Sequence, residues 1–171
     1  MTASFDQVNA IDDKARFTIA GVNGDLAWTR DATAVESQVA WASGALYGIG
    51  LGPARFAFRS AEGELRLQAP VAMEVLAGKI TLEHLRWQAP KAGGGATFQF
   101  GLGMDQLDLA SLSQRLGWPP FTGTIGGKIP SARYVDSILT LDGGLRMDLF
   151  GGSMQLSELV MERPLGIAPT L

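Results

Sequence analysis

The sequence predicts an all-β protein: a long, twisted, largely antiparallel sheet curled into a groove or open half-barrel, with one short helix near residues 108–117. Three observations predict it. Apolar residues fall on every second position over long stretches, glycine supplies 22 of the 171 residues, and a single segment carries helical spacing. Period-two alternation marks strands with one apolar and one polar face, and glycine marks the turns and bulges between them.

The clearest strand is Gly63-Glu-Leu-Arg-Leu-Gln-Ala-Pro-Val-Ala-Met-Glu-Val75, which puts Leu65, Leu67, Ala69, Val71, Met73 and Val75 on one side. At about 3.3 Å per residue this run reaches roughly 40 Å, well beyond the usual strand. Pro70 cannot donate to a ladder, so the strand is expected to lie at an edge or to bend there. Further strands are expected near 3–9, 15–21, 24–29, 34–42, 53–59, 78–88, 96–104, 122–129, 134–141, 144–149 and 152–162. Asn23-Gly24, Glu62-Gly63, Ala77-Gly78, Asp142-Gly143 and Gly151-Gly152 read as hairpin turns. In the helix, Asp108 is the cap, Leu109, Leu112 and Leu116 share a face, and Gly117 with Pro119 ends it. One short helix among so many strands is expected to plug one end of the sheet or cover an edge.

The chain also echoes itself. Residues 78–87, Gly-Lys-Ile-Thr-Leu-Glu-His-Leu-Arg-Trp, align with residues 152–161, Gly-Ser-Met-Gln-Leu-Ser-Glu-Leu-Val-Met, at an offset of 74. Both alternate through Ile80 and Leu82 or Met154 and Leu156, insert one extra residue, then resume at Leu85 and Trp87 or Leu159 and Met161. A shared extra residue predicts a bulge at Glu83-His84 and another at Ser157-Glu158.

Composition narrows the function. An apolar fraction of 46% with 18% charged residues excludes a disordered chain. Net charge is −3 and the fourteen basic residues are scattered singly, so nucleic acid has no electrostatic footprint and no polybasic membrane patch is expected. The absence of cysteine removes disulfides and thiol chemistry. The uncharged run from Ser37 to Ala54 approaches the length of a membrane span, but its four glycines favour a strand, a turn and another strand.

Catalytic signatures are weak. Gly48-Ile-Gly-Leu-Gly52 is followed by Pro53 and by alternating Phe56 and Phe58, so no helix follows to aim its amino terminus at phosphate. Gly126-Gly-Lys128 is followed by Ile129 where a phosphate loop needs Ser or Thr. His84, the single histidine, reads as a surface residue without metal or triad partners. Asp105 and Asp108 could act as paired carboxylates, but a helix cap and a dipole partner explain them more simply. The expectation is a protein that is not an enzyme and that needs neither cofactor nor metal.

The carboxyl-terminal half carries a longer pattern. It runs Leu107-Asp-Leu-Ala-Ser-Leu-Ser-Gln-Arg-Leu-Gly117, Phe121-Thr-Gly-Thr-Ile-Gly-Gly-Lys-Ile129, Gly143-Gly-Leu-Arg-Met147, Phe150-Gly-Gly-Ser-Met-Gln-Leu156 and Pro164-Leu-Gly166. This resembles the YdbH-like branch of the AsmA-like proteins, the bridge-like lipid transfer proteins of Gram-negative envelopes. The resemblance covers about residues 100–171, and 15–90 only in general texture. It implies a periplasmic β-groove, anchored in the inner membrane and reaching toward the outer one, that shields lipid acyl chains in transit. The family pattern includes an amino-terminal anchor helix and a greater length, so the resemblance implies that residues 1–171 form a single groove segment of a longer chain. Its implied partners are phospholipid acyl chains, the remainder of its own chain, and envelope proteins at either membrane.

The leading expectation is therefore a lipid-shielding groove lined by Leu65, Leu67, Val71, Met73 and Val75, by Ile80, Leu82, Leu85 and Trp87, and by Met154 and Leu156. The alternative is a structural or carbohydrate-binding β-sandwich of the envelope. The two differ in the fate of the apolar stripe, which a groove exposes and a sandwich buries against a second sheet.

Overall fold

A computed structural model describes residues 1–12, 16–90, 95–136, 138–149 and 152–162. In chain order the elements are β1 (Thr2–Ile11), β2 (Phe17–Ala27), β3 (Val35–Trp41), β4 (Ser43–Leu46), β5 (Ile49–Leu51), β6 (Ala54–Ala61), β7 (Glu64–Leu67) and β8 (Val71–Val75). They continue with β9 (Gly78–Gln88), β10 (Thr97–Asp108), α1 (Leu109–Leu116), β11 (Gly123–Val135), β12 (Ile138–Leu149) and β13 (Gly152–Glu162). Among the described residues the thirteen strands form one antiparallel sheet, open rather than closed into a barrel.

Three pairs of short strands are halves of long ones. β3 and β4 are separated by Ala42, β5 and β6 by Gly52 and Pro53, and β7 and β8 by Gln68, Ala69 and Pro70. The halves sort into two levels: β3, β6 and β7 form one ladder near Asn23–Asp25 of β2 and Arg86–Gln88 of β9, and β4, β5 and β8 lie near the other ends. Pro70 thus bends its strand, as expected, but within the sheet rather than at its edge. Register slips continue this line across the neighbouring strands, at Phe5/Val8 in β1, Gly101/Leu102 in β10, Lys128/Ser131 in β11 and Asp142/Leu145 in β12. Each bulge bends its strand and raises its twist, so a row of them at mid-strand folds the sheet along a line perpendicular to the strands.

The steps proposed for the internal echo lie on this line. In β9, Glu83 is the extra residue between the pairs Gly101↔His84 and Leu102↔Leu82. Next to β13, the extra residue is on the partner: Gly143 and Gly144 face Ser157 between the pairs Asp142↔Glu158 and Leu145↔Leu156. Because the other strands slip at the same level, the irregularity belongs to the whole sheet rather than to residues 78–87 and 152–161 alone.

Two expected turns are strand interior. Asn23-Gly24 lies within β2 and Asp142-Gly143 within β12. Gly24 has φ +119°, and a Cβ there would collide with the carbonyl of Gln38 on β3. The glycine serves a close strand crossing, not a reversal. The turns before β7 and β9 do form, the first at Glu62-Gly63 and the second one residue early, at Leu76-Ala77, all but Gly63 being non-glycine residues with positive φ. The turn expected at Gly151-Gly152 lies partly outside the described residues, with Gly152 opening β13. The Ser37–Ala54 run is β3, β4 and β5, with Tyr47-Gly48 as the turn, and among the described residues no helix is long and apolar enough to cross a membrane.

The sheet curls toward its apolar face at one end. After pairing with β3 at Asn23–Asp25, the end of β2 crosses over β3 and β6: Ala27 N–H donates to Ser37 Oγ (2.7 Å), and Thr29 N–H donates to Ser60 Oγ (3.1 Å). Gly63, in the turn that opens β7, donates its N–H to Thr29 O (2.9 Å). In a flat sheet β2 and β7 would stand three strand spacings apart, about 14 Å. Contact only two residues beyond β2 therefore requires strong curvature. Ser37 and Ser60 are buried, and their hydroxyls satisfy the backbone of the crossing segment. Ser60→Ala should leave the Thr29 N–H without its partner and cost about 1–3 kcal/mol. Urea denaturation would measure this, with Ser60→Thr as the hydroxyl-retaining control.

Candidate functional site

Register fixes which side chains share the apolar face, because directly paired residues point to the same side. One row runs Leu65, Trp87, Phe98, Tyr134, Leu139 across β7, β9, β10, β11 and β12. The next rows pair Leu85 with Phe100, Leu82 with Leu102 and Val71, and Ile80 with Met104 and Met73. Aromatic rings make the first row a ladder: Trp28, Trp87, Phe98 and Tyr134 are separated by 6.1, 6.4 and 6.4 Å between successive centroids. Trp28 reaches Trp87 only because the segment after β2 crosses the face.

Under the overhang of β1 and β2 lies an apolar depression of about 320 Å³. Phe5, Val22 and Leu26 contribute from the overhang, and Val39, Trp41, Phe56, Phe58, Leu65 and Leu85 from the floor. Trp41 turns its one polar group away, donating Nε1–H to Gly52 O (3.0 Å). The depression therefore offers dispersion contacts and removal from water, with no charged side chain in its lining.

The expected lining residues do not share one place. Leu65 and Leu85 face the depression. Leu67, Met73 and Leu82 pack around the buried cluster of Ala54, Phe56 and Val71. Val75 and Ile80 belong to a second cluster with Leu107, Leu109 and Ile125. Val71 and Val75 are buried, so they support the face rather than line it, which corrects their assignment as lining residues. Trp87 stands in the aromatic ladder. Met154, 43% exposed, lies on β13 opposite Met147, and Leu156 pairs with Leu145. The side chain of Leu156 is outside the described residues.

Helix α1 covers one end of the face. Asp108 caps it by accepting from Ser111 N–H (2.8 Å), and that hydrogen bond holds its carboxyl below the usual carboxylate range. Gly117 closes it in the left-handed conformation at φ 66°. Leu109 and Leu112 pack on Val75, Leu107 and Ile125, so the helix seals the β8–β11 end while the β1–β7 end keeps its depression. The sequence spacing places this helix correctly, and Leu109 and Leu112 of its expected face pack on the sheet, whereas the other buried helix residue is Ser113 rather than Leu116.

The candidate catalytic groups do not converge. Asp108 is committed to the cap, Asp105 pairs in register with Lys79 on the polar face, and His84 lies exposed opposite Gly101. Lys79 and His84 are five residues apart on β9, about 16 Å in an extended strand. Among the described residues no three of His, Asp or Glu gather as a metal site.

The expected lining left out the overhang residues Phe5, Val22 and Leu26 and, on the floor, Val39, Trp41, Phe56 and Phe58. Their alternation was visible, but nothing local shows that β1 and β2 fold across strands 40 residues away. The signal that could have found the crossing is a serine on the apolar phase of two strands, Ser37 and Ser60. No family model matches the chain, and neither a curated protein nor a solved structure does.

Proposed function

We propose that the protein is a non-enzymatic, lipid-shielding segment of a β-groove, taking part in phospholipid transport between inner and outer membranes. In this reading it belongs with the YdbH-like branch of AsmA-like envelope proteins and works in the periplasm, within a chain anchored in the inner membrane. The observation that carries the reading is an apolar face that no second sheet covers among the described residues. Phe98 on that face is 37% exposed, and Leu65, Leu67, Met73, Leu82 and Leu85 remain half-buried. A closed sandwich would bury them.

Energetics favour such a surface over a deep pocket. Each acyl methylene withdrawn from water contributes about 0.8 kcal/mol, so a 16-carbon chain gains roughly 12 kcal/mol of shelter when wholly covered. A carrier spreads that gain along an apolar track without fixed polar groups that would hold a lipid at one spot. Mild purification followed by lipid mass spectrometry is expected to recover phospholipid with the folded protein. Recovering none, together with no uptake of a fluorescent fatty-acyl probe, would remove the groove reading.

A further inference from the structure

The basic residues that are scattered along the sequence are collected by strand register. Arg59 on β6 pairs with Arg66 on β7, Arg66 with Arg86 on β9, Arg86 with Gln99 on β10, and Gln99 with Arg133 on β11. These residues alternate with the apolar row Leu65, Trp87, Phe98 and Tyr134, so they stand on the opposite, polar face at the same end of the strands. Four strand spacings separate Arg59 from Arg133, about 19 Å. Arg55 adds a fifth cation on the same face, four residues from Arg59 along β6.

Carboxylates oppose this row without balancing it. Glu64 holds both Arg66 and Arg86 through Oε1, the latter at 3.4 Å. Glu36 stands in register with Arg59 without an ion pair within 4 Å among the described residues. Arg59, Arg55 and Arg133 have no ion-pair partner there either, and all are exposed. Glu62 lines the same hollow as Arg59, Arg66 and Glu64, and Asp25 stands on this face two strands from Ala57. Five arginines against Asp25, Glu36, Glu62 and Glu64 leave this strip with a small positive excess on a chain whose net charge is −3. The sequence expectation of no basic patch is therefore corrected: the spacing of 7, 20 and 47 residues hides what the register assembles.

We propose that this arginine row docks the outer face of the sheet onto the surface of an anionic lipid bilayer. Charge complementarity names an anionic partner, and guanidinium groups bind phosphate oxygens in a bidentate manner. One feature favours a bilayer over an acidic protein. Mobile lipids can diffuse to meet a row of cations, whereas a folded acidic surface would need matched spacing. This surface lies on the face opposite the apolar depression, so it stands or falls separately from the groove.

Vesicle sedimentation tests it, using mixed phosphatidylglycerol–phosphatidylcholine vesicles and pure phosphatidylcholine vesicles. Wild-type protein is expected to bind the anionic vesicles at about 20 mM salt and to release them as screening rises. Each arginine near an anionic surface is worth about fivefold in affinity, so combined Arg59→Gln, Arg66→Gln, Arg86→Gln and Arg133→Gln should weaken binding by more than about tenfold. Glu64→Gln, which removes the opposing carboxylate, should strengthen it. Acyl-probe uptake and the denaturation midpoint should stay unchanged in both variants. The proposal is overturned by absent binding to anionic vesicles, by equal binding to neutral ones, or by an unaltered affinity in the quadruple variant. Binding to polyglutamate but not to vesicles would overturn it in favour of an acidic protein partner.

Discussion

Val75→Asp is expected to unfold the protein or to lower its stability by more than about 4 kcal/mol, the range reserved for an unpaired charge in a packed core. Val75 is 4% exposed and packs with Leu107, Leu109 and Ile125 where α1 closes over the sheet. Its carboxylate would enter the cluster of Leu107, Leu109 and Ile125, whose side chains offer it no hydrogen bond. Val75→Ala should cost only about 2 kcal/mol, the transfer and cavity terms of a small aliphatic side chain. Urea denaturation of the two variants separates these terms. A mild loss with aspartate would mean that α1 is displaced easily and that the covered end of the face is open in solution.

That the helix covers this end was legible because its signals are local. Asp108, the Leu109 and Leu112 spacing and Gly117 all lie within ten residues, and Asp108 and Gly117 act through backbone groups nearby. The strands were legible for the same reason, since alternation is a property of neighbours. What escaped was the meaning of glycine. Asn23-Gly24 carries the sequence of a hairpin turn, yet Gly24 allows β2 to pass close to Gln38. A turn and a close crossing both demand a residue without Cβ, so the dipeptide alone does not separate them.

The candidate site divides along the same line. Leu65 and Leu85 were found from alternation and do face the depression. The residues opposite them, Phe5, Val22 and Leu26, depend on the curl of the whole sheet, which sums bulges contributed by many strands. The arginine row is invisible for a related reason: each cation merely occupies the polar phase of its own strand, and only the pairing of β6, β7, β9, β10 and β11 aligns them.

Leu85→Asp is the variant expected to abolish acyl binding while leaving the fold in place. Leu85 lies on the floor of the apolar depression, on β9, with Leu65 of the neighbouring β7 between it and the Phe56–Phe58 pair of β6. It is half-buried in an open cavity, so a carboxylate there retains water and should cost about 1–2 kcal/mol, well short of Val75→Asp. An acyl chain laid across the same place would have to strip that water. Losing contact with three or four methylenes, at about 0.8 kcal/mol each, predicts a fall in fatty-acyl probe affinity of roughly a hundredfold. Leu85→Asn, polar but uncharged, should give a smaller loss of affinity, and Leu65→Asp, across the same depression, should repeat the aspartate result. If either aspartate variant proves folded and binds the probe as the wild type does, the depression is not where acyl chains lie. The apolar face would then have to be explained as a surface that another protein covers.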